Sequence, residues 1–370
     1  MVILYIVGAI AIIQSIVSLL DGIRAARHLR TFRPRANRHD WVVVFCPCKG
    51  VEHDFEKNIQ SLLEQDYANY KVKFVVQSED DEAYAALSNM GISEILVAGR
   101  ASDCGQKVHN LSYAVRHAGV AAGIYVFCDS DARFHRHWLS SLIAPLGPTN
   151  ITTGYRWYAA ERFHLPTLLR SVWNASVVTA LGDHNRNFSW GGSMAMYRST
   201  FESLNILQAW RGSVSDDFAV TRAAERASMR IVFVPECLIP SYGECTWREL
   251  VEFTTRQVTI TRVYHARLWR TAFFGAAVFN TAFWGLLFVQ PWLAFVIYLL
   301  GAAKSWIRVR AVRSVLPAAA LSGHDWFYIL FSPAAALLYL YNMIRSAAGT
   351  DIVWRQIRYK LVSPNETRVV

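Results

Sequence analysis

Hydrophobic and polar positions fall into three regimes along the chain. Residues 2–20, VILYIVGAIAIIQSIVSLL, carry no charge. A run of that length crosses a hydrocarbon core as a helix. A secretory signal peptide is the competing reading, but no basic stretch precedes the run and no small-residue cleavage site follows it. From Trp41 the pattern changes. WVVVF (41–45) is apolar at successive positions, as a buried parallel strand is. DFEKNIQSLLEQ (54–65) spaces its apolar residues for a helix. KVKFVVQ (71–77) and EILVAG (94–99) read as second and third strands. QKVHNLSYAVRHA (106–118) reads as a helix, and IYVFCD (124–129) as a fourth strand. Strand and helix in alternation predict an α/β sheet with crossover connections.

After Arg270 the chain turns apolar again. Residues 271–303 are uncharged and long enough for two spans, broken near Gln290-Pro291, with the second span short. WFYILFSPAAALLYLYNMI (326–344) is a further candidate span. The expected organisation is a transmembrane helix (1–22), a basic linker (23–40), an α/β domain (41–245), a basic amphipathic segment at the interface (246–270), a transmembrane region (271–346) and a tail (347–370).

Composition supports a membrane-attached protein with a soluble part. The chain of 370 residues is 53% hydrophobic and 13% aromatic, with a formal charge of +10. Basic stretches at 24–39 and 304–313 place those sides in the cytoplasm by the positive-inside rule. Four crossings from an outside amino terminus would put the basic tail 351–360 outside. Either one carboxy-terminal segment is interfacial or re-entrant, or the Ser332-Pro333 break makes a shallow hairpin; a cytoplasmic tail is the expected outcome. A nucleic-acid partner is not indicated, since the arginines are dispersed and no zinc-finger or RNP pattern occurs. The six cysteines form no CxxC pair and read as buried free thiols of a reducing compartment.

The candidate chemistry lies at strand ends, where open α/β sheets bind ligands. SEDDEA (78–83) follows the second strand. Asp129-Ser130-Asp131 follows the fourth. Two carboxylates separated by one residue can aim at one hard cation, and Mg²⁺ and Mn²⁺ prefer oxygen ligands. A solvated turn is the blander account of such a pair. Asp216-Asp217 opens a helical pattern, where aspartate also serves simply as a cap. Gly191-Gly192, in FSWGGSMAMYR (188–198), allows close backbone approach to a ligand or makes an ordinary tight turn.

The order of these features resembles the ceramide glucosyltransferase family, membrane-bound inverting glycosyltransferases. CPCKGVEHDFEKNIQSLLEQDYANYKVKFVVQSEDDEA (46–83) looks like that family's nucleotide-binding half. FCDSDAR (127–133) looks like its second aspartate motif, SDDFAV (215–220) like its third, and IVWRQIRYKL (352–361) like its closing segment. The resemblance implies a GT-A fold, a Rossmann-like mixed sheet for nucleotide-diphospho-sugars, with transmembrane helices at both ends. It also implies Mg²⁺ or Mn²⁺, a UDP-sugar donor and a lipid acceptor, with the catalytic domain on the cytoplasmic side of a multi-pass protein. Residue by residue, Asp81 with Asp80 beside it would contact the uridine side of the donor, and Lys49 would bind the donor. Lys107 and Asn110 would sit near the diphosphate. Asp129 and Asp131 would hold the metal and diphosphate, and Asp217 would be the general base.

One stretch departs from the pattern. The family carries (Q/R)xxRW before its membrane spans, where the Trp–Arg pair lines the acceptor and diphosphate site. Here Arg256 fits the first position, but Thr259 and Ile260 stand where Arg and Trp are expected. Arg262 could supply a displaced guanidinium on the donor. The departure leaves other acceptors open: a carotenoid, a sterol, a diacylglycerol or a polyprenyl phosphate. It is also the support for an inactive GT-A binding module. A transporter would need charge inside its spans, and 271–303 has none.

Overall fold

The computed structural model of the chain describes residues 1–119, 122–321 and 323–370. They form two compact units, each assembled from separated stretches. An α/β unit holds residues 32–156, 183–242 and 351–370, and a helical unit holds 1–31, 157–182 and 243–350.

Numbered along the whole chain, the α/β unit contains β1 (Val42–Pro47), α2 (Phe55–Leu63), β2 (Tyr70–Val76), α3 (Glu82–Asn89), β3 (Ile95–Val97), α4 (Gln106–Arg116), β4 (Ile124–Cys128), α5 (Trp138–Ile143), β5 (Asn150–Tyr158), β6 (Ser193–Tyr197), α7 (Arg198–Ser203), α8 (Ile206–Ala209), α9 (Asp216–Arg226) and β7 (Arg230–Ser241). Near the end of the sequence it adds β8 (Asp351–Trp354), β9 (Ile357–Ser363) and β10 (Glu366–Val369).

The main sheet has the order β3-β2-β1-β4-β6-β5-β7. The β1–β2, β1–β4 and β2–β3 pairs are parallel, whereas β6 runs antiparallel to β4 and β5. Alternation along each central strand feeds two cores. Val42, Val44 and Cys46 of β1 pack with Ile124, Val126 and Cys128 of β4 on one face. Val43 and Phe45 pack with Tyr125 and Phe127 on the other. Both faces are covered, so the strands need apolar residues at every position. Each fully buried Val or Phe contributes about 1.5–3 kcal/mol relative to exposure.

After β1 the chain builds outward through β2 and β3, and after β4 it builds the other way. The boundary between β1 and β4 is therefore a topological switch point, and the crevice beyond their carboxyl ends is the natural ligand position. The segments Pro47-Cys48-Lys49 and Asp129-Ser130-Asp131 both emerge there.

The tail, expected only as a basic stretch, is an antiparallel sheet β10-β9-β8. Its β8–β9 hairpin turns on Arg355 and Gln356, both left-handed, with φ of 51° and 66°. Such two-residue turns usually employ Asn or Gly, which reach that region at little cost. The sheet belongs to the α/β unit: the Gln106 backbone N–H donates to the Tyr359 hydroxyl at 3.2 Å.

The helical unit contains α1 (Val2–Thr31), α6 (Leu165–Val178), α10 (Trp247–Tyr264), α11 (Ala266–Val289), α12 (Pro291–Val312), α13 (Asp325–Leu330) and α14 (Ser332–Ala347). Among the described residues, α1, α11 and α12 are long and apolar enough to cross a membrane. Helices α1 and α11 pack at two glycines, each of which receives a leucine side chain of the other helix. A Cβ on Gly8 would lie 2.8 Å from Leu286 Cδ1, and one on Gly285 would lie 2.9 Å from Leu4 Cδ1.

The structure redraws several expected boundaries. The first helix does not stop at residue 22 but runs to Thr31, because the basic stretch lacks any Gly or Pro before Pro34. The break expected near Gln290-Pro291 is present, with Pro291 at the first position of α12, where its missing N–H costs nothing. The candidate span 326–344 is split at Phe331 into helices of 6 and 16 residues. Residues 157–182, expected within the α/β domain, cluster with the helical unit, where Tyr328 OH donates to Tyr158 O at 3.4 Å. All six cysteines are buried free thiols.

Candidate active site

Two aspartates, an arginine and a lysine form the centre of the crevice. As β4 ends, its strand hydrogen bonding stops and the next residues turn, so the Asp129 and Asp131 side chains leave the core together. Arg156, on β5, meets both. Its Nη2 lies 2.8 Å from Asp129 Oδ2 and 2.8 Å from Asp131 Oδ1, and its Nη1 lies 2.9 Å from Asp131 Oδ2. The same guanidinium stands over the Trp190 ring, 5.2 Å from the centroid. On the other side of Asp129, Lys107 Nζ donates to Oδ1 at 2.8 Å and reaches Asp216 Oδ1 at 3.2 Å.

The start of α9 supplies the third acidic element. Ser215 caps the helix, its hydroxyl oxygen accepting from the Phe218 N–H at 3.2 Å. Asp216 at the first helical position is then buried against Lys107. Asp217, one residue on, is half-buried. Its Oδ1 accepts from the Ser215 hydroxyl and, at 2.8 Å, from the Phe218 N–H. Its Oδ2 is 3.3 Å from the Gly191 N–H. Gly191 is required for this arrangement. A Cβ there would overlap Asp216 Oδ2 and lie 2.8 Å from Lys107 Nζ.

Burial and charge act on these groups in opposite directions. Burial alone would strip Lys107 of its proton, but Asp129, Asp216 and Asp217 around it hold its pKa above the usual lysine range. Burial pushes Asp129 up, yet Lys107 and Arg156 outweigh that and hold it below the usual carboxylate range. For Asp216 burial wins. Its pKa stands at about 6 although Lys107 pulls it down.

The sequence matches a known family over almost the whole chain: residues 3–367 match glycosyl transferase family 21. The chain belongs to glycosyl transferase family 21. This is the family of the ceramide glucosyltransferases, which the motif order resembles. None of the curated proteins compared with the chain matches it. Among solved structures, the mannosyltransferase PcManGT from Pyrobaculum calidifontis, solved with GDP-Man and Mn²⁺, superimposes with a TM-score of 0.51 at 17% identity, covering 91% of this chain and 99% of its own. Glucosyl-3-phosphoglycerate synthase from Mycobacterium tuberculosis, in complex with Mn²⁺ and UDP-glucose, covers 65% of this chain and 81% of its own at 15% identity, with a TM-score of 0.39. The mixed sheet of the α/β unit is thus a GT-A fold, and the protein is a glycosyltransferase.

In this family 21 glycosyltransferase, several other expected residues lie at neighbouring strand ends of the same unit. Asp81 caps α3: its Oδ1 accepts from the Gly50 N–H at 2.7 Å and the Ala83 N–H at 3.1 Å. Lys49 Nζ lies 3.8 Å from Asp81 Oδ2 and donates to Gln77 Oε1 at 2.9 Å. This ties the loop after β1 to the loop after β2. Asp80 is exposed beside it. Asn110 lies deeper, buried on α4, with its Oδ1 accepting from Gln106 Nε2 at 2.8 Å. Arg256 and Arg262 belong to the helical unit. Arg256 lies 3.8 Å from Glu252 and stands over Phe253. Arg262 donates to the Ala347 and Gly349 carbonyls at 2.8 and 3.2 Å, closing the end of α14. Thr259 and Ile260, at the departing motif positions, are buried on α10.

Arg156 and Glu52 were not singled out from the sequence, and Arg355 was marked only as part of the closing Trp-Arg…Tyr segment. Arg156 sits in TTGYRWY, and its signal was a lone arginine in an otherwise buried strand. Glu52 and Arg355 form an ion pair that brings the β8–β9 turn to the loop after β1. Burial and the nearby Asp131 raise Glu52 to about 7, against the pull of Arg355 and Arg156. Nothing in sequence spacing connects residue 52 to residue 355.

The donor chemistry of the pair Asp129 and Asp131 suits a divalent ion. One oxygen from each carboxylate meets at a single positively charged nitrogen, so both aim at one point. An all-oxygen anionic set of this kind matches a hard cation such as Mg²⁺ or Mn²⁺.

Proposed function

We propose that this glycosyltransferase moves a sugar, glucose in our reading, from a UDP-sugar to a lipid hydroxyl and inverts the configuration at the anomeric carbon. The observation that carries the reading is the convergence of Asp129, Asp131, Lys107, Asp216 and Asp217 on the crevice at the switch point. The motif order supports uridine in the donor. The P. calidifontis mannosyltransferase, with its GDP-Man and Mn²⁺, supports a metal-linked nucleotide sugar as the donor class.

Asp129 and Asp131 hold the metal of the donor diphosphate. When bound, that metal neutralises charge developing on the departing diphosphate. Lys107, kept protonated by its three acidic neighbours, adds a fixed positive charge beside it. Asp81 and Asp80 take the nucleoside end, with Lys49 locking the loop that presents them. Asn110 acts from behind, by fixing Gln106.

Asp217 takes the proton of the acceptor hydroxyl. A general base must come within hydrogen-bond reach of that proton. Asp216 is excluded because it is buried against Lys107 and walled by Gly191. Asp217 is half-exposed, with one oxygen held only by the 3.3 Å contact to Gly191. A positioned base of this kind contributes about 10²–10⁴-fold. Asp217→Asn should abolish transfer and leave UDP binding intact; transfer at the wild-type rate would remove Asp217 from the mechanism. Labelled UDP-glucose supplied to membranes would identify the lipid that accepts it, and so separate a ceramide-like acceptor from a carotenoid, sterol, diacylglycerol or polyprenyl phosphate.

We read the membrane arrangement from parity. The α/β unit takes residues from before α11 and from after α14. Both must lie on one side, so the crossings between them are even in number. Helices α11 and α12 supply two. Helix α14, at 16 residues, is about 24 Å long, shorter than a hydrocarbon core of about 30 Å, and does not cross. With the basic end of α1 on the cytoplasmic side, the catalytic unit is cytoplasmic and meets soluble donor at the bilayer surface.

A further inference from the structure

We propose that Arg156 occupies the seat of the metal, so that the divalent ion and the nucleotide bind this enzyme cooperatively through displacement of its guanidinium. The inference rests on the reading that Asp129 and Asp131 hold a metal-linked diphosphate.

The geometry allows one cation or the other. Nη2 of Arg156 is 2.8 Å from Asp129 Oδ2 and 2.8 Å from Asp131 Oδ1. An ion bound by the same two oxygens would sit about 2.0–2.6 Å from each, in the space that this nitrogen fills. The guanidinium must move for the ion to enter, and three charge-assisted hydrogen bonds are given up when it does.

Charge then decides when the exchange is favourable. Around this point Asp129, Asp131, Asp216, Asp217 and Glu52 face Lys107, Arg156 and Arg355. A divalent ion added alone would crowd against Lys107, Arg156 and Arg355, and would cost the guanidinium its bidentate grip on Asp131 and its bond to Asp129. A diphosphate arriving with the ion changes this. It offers the planar guanidinium a bidentate oxygen pair of the kind arginine recognises. The Trp190 ring already backs the guanidinium at 5.2 Å and can keep it close during the move. Metal and nucleotide thus each favour the other's binding, and the coupling must be reciprocal.

The test measures binding and needs no turnover. Full-length protein in detergent is titrated with MnCl₂, with and without UDP, and free Mn²⁺ is read by its electron paramagnetic resonance signal. Wild type should bind Mn²⁺ weakly alone and at least tenfold more tightly with saturating UDP, after correction for Mn²⁺–UDP association in solution. Arg156→Gln should bind Mn²⁺ alone at least tenfold more tightly than wild type, and the gain from UDP should shrink by a similar factor. Arg156→Lys, which keeps a charge but loses the fork, should fall between the two and covers the case in which the glutamine variant does not fold. If both variants bind Mn²⁺ alone no more tightly than wild type, Arg156 does not hold the metal seat, while the proposed function stands. If wild type retains no Mn²⁺ even with UDP, the metal reading fails and this inference with it.

Discussion

Gly191→Ala is a one-carbon perturbation aimed at the packing between Asp216, Lys107 and the α9 start. The added Cβ would overlap Asp216 Oδ2 and lie 2.8 Å from Lys107 Nζ. Ordinary contact begins near 3.5 Å, so Lys107 must retreat by about 0.7 Å and Asp216 further still. Gly191 has no left-handed backbone, so the substitution brings no torsional strain of its own. Overpacking of this kind costs about 1–3 kcal/mol. Its effect on catalysis should be larger than its effect on folding. Lys107 fixes Asp129, and the Gly191 N–H is the contact to the proposed base. Misplacing such groups by about 1 Å costs about 10²-fold in rate. The assay is sugar transfer by detergent-solubilised protein beside its thermal midpoint, with Gly147→Ala as control, where a Cβ would meet only Asn150 Nδ2 at 3.6 Å. The expected result is a midpoint a few degrees lower and kcat down about 10²-fold, with the control unchanged. Activity within threefold of wild type would refute the packing argument and the placement of Lys107.

Two more predictions concern charge. Asp216 in the folded protein titrates at about 6, above its ordinary value of 3.8. Between roughly pH 4 and 6 the folded state therefore holds a proton that the unfolded chain has released, and the contribution of Asp216 to stability declines as pH rises, by up to about 3 kcal/mol. The thermal midpoint of wild type relative to Asp216→Asn should fall across that window and level off above it; a difference independent of pH would contradict the assignment. Arg355→Ala removes the hydrogen-bonded cation of Glu52, leaving a buried acid beside Asp131 whose pKa the loss of Arg355 pushes further up. Adding Glu52→Gln to that variant should restore at least half of the lost stability, a coupling that a double-mutant cycle reads directly, whereas additive losses would mean the pair does not interact.

The first four strands were legible because burial on both faces demands unbroken apolar runs, and Val42–Phe45 and Ile124–Cys128 are such runs. Their ends marked Asp81 after β2 and Asp129 and Asp131 after β4 without any pairing information. The return strands were harder. In β5, NITTGYRWY mixes small, polar and aromatic residues, and its role depends on antiparallel pairing with β6. Arg156 became visible only through that pairing. The ion pair between residues 52 and 355 is a tertiary event with no local signature. At 326–344 hydropathy alone reads one span, but Ser332-Pro333 marked a possible break, and the chain does break at Phe331, just ahead of it. The displaced membrane motif is legible in part. Thr259 and Ile260 are core positions of α10, which suit a small hydroxyl and an aliphatic side chain.

The short sheet formed by β8, β9 and β10 gives this enzyme an order of assembly. A ribosome delivers residues 351–370 only after every apolar helix has been made. Until then the loop after β1 lacks Arg355, and the start of α4 lacks the Tyr359 hydroxyl. A nascent chain arrested within the helical region would carry its main sheet and its aspartates yet lack the contacts that Arg355 and Tyr359 make to the loop after β1 and the start of α4. Synthesis of every apolar helix thus precedes completion of the α/β unit.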